Sequence, residues 1–186
     1  MRCAVSWRYG LATLAAVGSA VVAGSGSGSF AAAADCPSGL REFADYQDGI
    51  VFVRLFSKEV DATICYPERV FRQTGVGSDG IHFDSDDRLA WFRLFQRENP
   101  GRRPIGDLMR EEAERLLGQS ASITYRQTKG NWFVLSGFIG NRIYYRRSVL
   151  TEEGAAVSTF LIEFPQEQKP FYENIVTRMS WSFKGM

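Results

Sequence analysis

Four runs of strand-forming residues, "ASITYRQT", "NWFVLSGFI", "RIYYRRSVL" and "AAVSTFLIEF", follow one another between Ala121 and Phe164. Lys129-Gly130, Gly140-Asn141 and Glu152-Glu153-Gly154 separate them, and each is a turn signal. Links this short join antiparallel neighbours, because a parallel crossover needs a dozen or more residues. A four-strand meander is therefore expected. The two-residue turn Gly140-Asn141 also sets a register: Ile139 faces Arg142, Phe138 faces Ile143, Gly137 faces Tyr144 and Leu135 faces Arg146. An aromatic ring opposite a glycine covers backbone that the glycine leaves bare, so Tyr144 is expected to lie over Gly137. The hairpin from Asn131 to Val149 reads mainly as scaffold, with Arg142, Tyr144 and Arg146 as the row that would form a binding surface. Arg146 is expected to be a surface residue of little weight in stability.

Upstream, "IVFVRLFSKEVDATICYP" holds two β-rich runs around Ser57-Lys58-Glu59, and "GIHFDSDDRLAWFRLFQRE" repeats the arrangement around Ser85-Asp86-Asp87. Both read as hairpins. After the break "NPGRRP", Ile105, Leu108, Met109, Ala113, Leu116 and Leu117 recur at helical spacing until Gly118. Glu111, Glu112 and Glu114 are expected to be the solvated acids of that amphipathic helix. In "KPFYENIVTRMSWSF", Phe171, Ile175 and Met179 form one helical stripe with Tyr172 and Val176 beside it. The expected fold is thus α+β: an antiparallel sheet of two hairpins and a meander, flanked by an internal and a C-terminal amphipathic helix.

The beginning of the chain reads as an export signal. Arg2 and Arg8 precede an apolar run from Leu11 to about Ala23, and small residues lead to Ala32-Ala33-Ala34. The run falls short of the roughly 20 residues a spanning helix needs. Cleavage is expected after Ala34, followed by an N-terminal segment (35–49) and a single domain (50–186). Cys36 near the junction raises the question of lipidation, but Asp35 before it is neither small nor neutral, so a soluble periplasmic or secreted product without a stable membrane span is expected. Losing residues 1–34 removes two of the 22 basic residues and none of the 21 acids, leaving a net charge of about −1. No bulk field selects nucleic acid or anionic lipid. With Cys3 gone, Cys36 and Cys65 remain as an even pair bound for an oxidising compartment, and a disulfide between them is expected.

The order of elements resembles the PsbP/Mog1-like fold. "ICYPERVF" is similar to the Tyr-Pro segment entering those domains, and "YENIVTRMSWSF" to their closing helix with its serine-aromatic tail. The resemblance covers residues from about Ile50 to Phe183. It implies an antiparallel sheet flanked by helices and built for binding, as in DcrB-like bacterial envelope proteins. It supplies no catalytic residue to carry over.

Several patterns invite chemical readings. "GVGSDG" (75–80) satisfies G-x-G-x-x-G, yet the strand-like "IHF" follows where the dinucleotide fingerprint needs a helix, so it reads as a glycine-rich turn. His82, Asp84 and Asp86 alternate, and on a strand reaching Asp86 they would offer an N,O,O set to a divalent metal. No second histidine or further carboxylate is placed to complete a shell, so a solvated strand face is the favoured alternative and no cofactor is expected. Arg102, Arg103, Arg142, Arg146 and Arg147 would form an anion site if the "NPGRRP" loop folded over the hairpin. His82 is the only histidine and no G-x-S-x-G occurs, which removes the common bases for nucleophilic hydrolysis. The reading that follows is a non-enzymatic extracytoplasmic protein that contacts an envelope protein or a small ligand. A metal-dependent or carboxylate-based hydrolase is the rival.

Overall fold

A computed structural model of the chain describes Cys36 and residues 50–186. The expected export signal, its cleavage point and the rest of the N-terminal segment lie outside the described residues. The chain runs β1 (Val53–Ser57), β2 (Ala62–Tyr66), β3 (Phe71–Gly77), β4 (Gly80–Ser85), β5 (Trp91–Glu98), α1 (Ile105–Gly118), β6 (Ser122–Lys129), β7 (Trp132–Ile139), β8 (Arg142–Thr151), β9 (Ala156–Pro165), α2 (Lys169–Ser182) and β10 (Lys184–Gly185). Both expected hairpins, both helices and the meander are present. The "GVGSDG" motif is a turn, with Gly75 and Gly77 ending β3 and Gly80 opening β4.

Two antiparallel sheets result: a small one in the order β1-β2-β10, and a seven-stranded one in the order β3-β4-β5-β9-β8-β7-β6. In the β7–β8 hairpin, Ile139 pairs with Arg142, Phe138 with Ile143, Gly137 with Tyr144 and Leu135 with Arg146. This is the register that the Gly140-Asn141 turn dictates. Both edge strands of the large sheet carry a register break, β3 between Gln73 and Gly75 and β6 between Ile123 and Tyr125. A bulge at an edge disrupts the ladder that another chain would otherwise extend.

One face of the large sheet holds the main core. Phe71, Phe83, Phe92, Phe160 and Ile162 are fully buried there, under Ile64 of β2 and Ile175 and Met179 of α2. Phe83 and Phe92 stack with centroids 4.2 Å apart, and Phe71 meets Phe92 edge-on at 5.0 Å; pairs of this kind contribute about 0.5–1.5 kcal/mol beyond their burial. The C-terminal stripe differs from expectation at one position. Tyr172, Ile175, Val176 and Met179 are buried, whereas Phe171 is 39% exposed and packs edge-on against Tyr172. Residues 172, 175, 176 and 179 keep to one face by steps of three and four, and position 171 falls on its margin.

Ser182 Oγ closes the fold by accepting a hydrogen bond from Cys65 N at 2.8 Å, and Ser158 Oγ donates to the Val60 carbonyl at 2.6 Å. Cys36 and Cys65 are joined by a disulfide, so β2 is anchored by a covalent bond as well as by α2.

The opposite face receives α1, which packs on β6 and β7. Pro104 precedes the helix, and Ile105, Ala113 and Leu116 bury against Phe133, Leu135 and Tyr144. This second, smaller core fixes α1 against the β6 and β7 side of the sheet.

Candidate functional site

Partner residues in neighbouring strands share a sheet face, so the ladder defines two rows across the α1 side. One row runs Leu135, Arg146, Leu161, Arg93, His82; the other runs Gly137, Tyr144, Glu163, Trp91, Asp84. At the β7 and β8 end α1 covers these rows. Trp91, Arg93, Leu161 and Glu163 beyond it are only half-buried. Between the helix edge and the sheet lies a hollow of about 180 Å³, with Trp91, Arg93, Arg115, Leu116, Tyr144, Arg146, Leu161 and Glu163 among its walls.

Arg115 and Arg146 of its walls belong to an ion cluster around a buried carboxylate, which differs from the sequence expectation. Helical patterning puts Glu112 in solvent with Glu111 and Glu114, yet it is 6% exposed. It occupies the helical stripe that includes Ile105, Leu108, Met109, Ala113 and Leu116, so its position on the helix turns it toward the sheet. There it meets Arg146, which is 4% exposed rather than a surface residue. Arg146 Nη1 donates to Glu112 Oε1, and Nε donates to Ser148 Oγ at 3.4 Å. Arg115, one turn along the same helix, donates to both Glu112 oxygens, and Arg97 Nη2 lies 3.5 Å from Oε2.

Burial alone would raise the Glu112 pKa. The hydrogen bond from Arg115 and the charges of Arg146, Arg115 and Arg97 outweigh it, and the net shift is downward. Burial pulls the Arg146 guanidinium down to about 9 against the upward pull of Glu112. Both groups are therefore charged at neutral pH. One carboxylate shared among three guanidiniums leaves the cluster with a cationic surplus.

Phe95 gathers two of these cations, Arg97 and Arg146, together with Arg93 of its own strand. The guanidinium carbons of Arg93, Arg97 and Arg146 lie 4.9, 5.2 and 5.4 Å from its ring centroid. Asp79 holds Arg93 through a 2.9 Å ion pair and reaches His82 Nε2 with its other oxygen at 3.0 Å. On the second row, Glu163 has its pKa raised by burial, against the opposing charges of Arg142 and Arg93.

Tyr144 is 1% exposed. Its hydroxyl donates to the Ser122 carbonyl of β6 at 3.3 Å, so the side chain reaches across β7 at Gly137, as the cross-strand pairing implies. Burial, with the Glu112 charge adding to it, pushes the phenol up to about 12. It is a neutral hydrogen-bond donor at physiological pH.

The row Arg142, Tyr144, Arg146 is thus not an exposed surface. Tyr144 and Arg146 are buried and form the floor of the hollow, while Arg142 pairs with Glu163 at 3.4 Å. The five-arginine grouping is not assembled either. Arg103 pairs with Glu111 and Arg102 with Glu153, and Arg147 turns to the opposite face, where it lies 4.6 Å from the Trp132 ring. His82 and Asp84 do share a face, but β4 ends at Ser85 and Asp86 lies in the following turn, paired with Arg72 at 2.7 Å. Among the described residues no group of three His, Cys, Asp or Glu side chains is arranged to hold a metal ion. A second hollow, of about 170 Å³ beside the β3–β4 turn, has Glu59 as its one charged wall residue.

Trp91, Arg93, Arg97, Arg115 and Glu163 belong to none of the motifs legible in the sequence. A signal was present for three of them: "WFRLFQRE" places Trp91, Arg93, Phe95 and Arg97 on one strand face opposite Phe92 and Leu94. Arg115 and Glu163 join them only through the fold.

A seven-stranded antiparallel sheet carrying one helix on one face, and a helix with a small sheet on the other, defines the class of this protein as α+β. Within that class the fold is PsbP/Mog1-like. The structure is similar to the solution structure of cyanobacterial PsbP (CyanoP) from Synechocystis sp. PCC 6803, with a TM-score of 0.57 and 12% identity over 74% of this chain and 94% of that one. It is also similar to the crystal structure of the Saccharomyces cerevisiae Ran-binding protein Mog1p, with a TM-score of 0.54 and 9% identity over 73% of this chain and 96% of that one. No family model matches the sequence, and no curated protein does. Identities this low establish the fold alone.

Proposed function

We propose that this protein is a non-catalytic binding protein that acts outside the cytoplasm, in the periplasm or after secretion, and that its working surface is the sheet face beside α1. The observation that carries the reading is the chemistry of the hollow: Arg93, Arg115 and Arg146 converge there with Trp91 and Tyr144, against one wall carboxylate. Guanidiniums bind anions and stack on rings, but they do not exchange protons at neutral pH. The one wall carboxylate, Glu163, is engaged by Arg142, so a wall of this kind suits recognition better than acid–base chemistry. Export is supported by the N-terminal signal pattern and by the disulfide. Among the described residues no helix is long and apolar enough to cross a membrane. The likeness to a Ran-binding protein is consistent with this fold serving as a binding scaffold.

The test is an NMR titration of the isotope-labelled mature protein with the low-molecular-mass and macromolecular fractions of a periplasmic extract. Amides at Trp91, Arg93, Arg115 and Tyr144 are expected to shift. Shifts confined to β1, β2 or α2 would place the working surface elsewhere, and recovery of the untruncated chain from the cytoplasm would remove the extracytoplasmic part.

A further inference from the structure

Resting on the α1-side face being the working surface, we propose that its hollow takes a small organic carboxylate with a flat apolar body, of the size and shape of an aromatic monoacid. Size is the first constraint. About 180 Å³ is small for a drug-sized molecule, whose pockets begin near roughly 300 Å³, and close to the roughly 150 Å³ that holds a single benzene ring. Wall composition is the second. Leu116, Ile139 and Leu161 line one part and the Trp91 and Tyr144 rings another, so a bare inorganic anion would leave apolar wall facing water while a ring would cover it.

Charge is the third. Glu112 serves Arg97, Arg115 and Arg146 together. With Asp79 on Arg93 and the wall carboxylate Glu163 on Arg142, three carboxylates serve five guanidiniums, and the surplus borders a concave, partly desolvated space where an added anion interacts more strongly than in bulk water. Arg115 is placed to meet it: Glu112 takes Nε and Nη2 and Gln119 takes Nη1, which leaves one N–H on each terminal nitrogen, and the side chain lines the hollow and is 44% exposed. Arg93 is the second contact on the opposite wall, oriented by Asp79. A planar carboxylate offers two acceptor oxygens to such forks, and its ring can lie along Trp91.

The experiment titrates the isotope-labelled mature protein with benzoate, benzamide and inorganic phosphate at constant ionic strength and pH 7, following assigned amides. Benzoate is expected to shift Trp91, Arg93, Arg115 and Tyr144 saturably, in the high-micromolar to millimolar range that a ligand of this size allows. Benzamide, of the same shape without the charge, should bind roughly tenfold to a hundredfold more weakly, the worth of a charge-assisted hydrogen bond. Arg115→Gln should weaken benzoate by a similar factor and Trp91→Ala should abolish saturation. Both positions are partly exposed, and an unchanged amide spectrum outside the hollow shows that each variant is folded. Equal binding of benzamide, or phosphate shifting the same amides as tightly as benzoate, overturns the aromatic monoacid. If benzoate leaves the hollow unshifted while the extract shifts it, the ligand class fails and the binding face stands; if neither shifts it, both fail.

Discussion

At the scale of single residues, the Glu112–Arg146 pair is the most consequential contact on the α1 side. A buried ion pair is weak evidence for net stability, because desolvation offsets most of its attraction. Breaking it is another matter, and the two partners should break differently. Glu112→Gln leaves Arg146 buried without its carboxylate and is expected to cost about 3–5 kcal/mol in a urea melt. Arg146→Met leaves Glu112 with Arg115 and Arg97 and fills the volume with an apolar chain, so about 1–3 kcal/mol is expected. The reverse order would mean that Arg146 has another counter-charge.

The same pair sets an acid limb. The folded pKa of Glu112 lies below its ordinary 4.5, so its stabilisation is present at neutral pH and is lost as pH falls through the depressed folded value. Melts of Glu112→Gln across that range should lack this component; an identical acid limb in both proteins would contradict it. Tyr144 separates body from hydroxyl. Tyr144→Ala removes a ring that is 1% exposed and should cost about 3–5 kcal/mol, whereas Tyr144→Phe loses one hydrogen bond to Ser122 and should cost about 1 kcal/mol.

At the scale of elements, the edge strand β6 is held by close approach as much as by its ladder. A Cβ built on Gly137 would come within 1.8 Å of the Ser122 carbonyl oxygen and 3.0 Å of Ile123 Cα, both backbone atoms of β6 next to its register break. Backbone cannot move aside as the end of a flexible side chain can. Gly137→Ala should therefore displace the first half of β6, seen as accelerated amide hydrogen exchange from Ser122 to Tyr125 with protection in β8 and β9 retained. Unchanged exchange there would show that β6 can shift without loss. The glycine that the sequence marks as bare backbone under Tyr144 is in this way also the point where two strands come nearest.

At the scale of the whole molecule, the small sheet is tied down by chemistry distant in sequence, to the chain before β1 through the Cys36–Cys65 bond and to β9 through Ser158 and the Val60 carbonyl. The Cys36–Cys65 bond spans 29 residues, a loop whose closure contributes about 3.5 kcal/mol on a chain-entropy estimate. Reduction of the mature protein should lower its unfolding free energy by roughly that amount. Reduced protein with the melting curve of the oxidised form would show that the bridge carries no stability. Cys65 lies on β2 beside Ser182 of α2, so the loss should reach the C-terminal helix before the meander, which has its own ladder and second core.

What the sequence determined by itself was local. Turn signals two or three residues long specified the meander and the register of Gly137 against Tyr144, because strand pairing across a tight turn has few alternatives. Helical spacing likewise placed α1 and α2. The tertiary structure alone decided which polar residues went inside. Glu112 sits within an apolar stripe and Arg146 opposite Leu135, and neither position says that a carboxylate from a helix and a guanidinium from a strand 34 residues on will neutralise one another. The same holds for Trp91, Arg93, Arg115 and Glu163, which come from two strands and a helix and meet only where α1 stops short of covering the sheet. Burial of charge is a property of pairs, and pairs distant along the chain are made by packing.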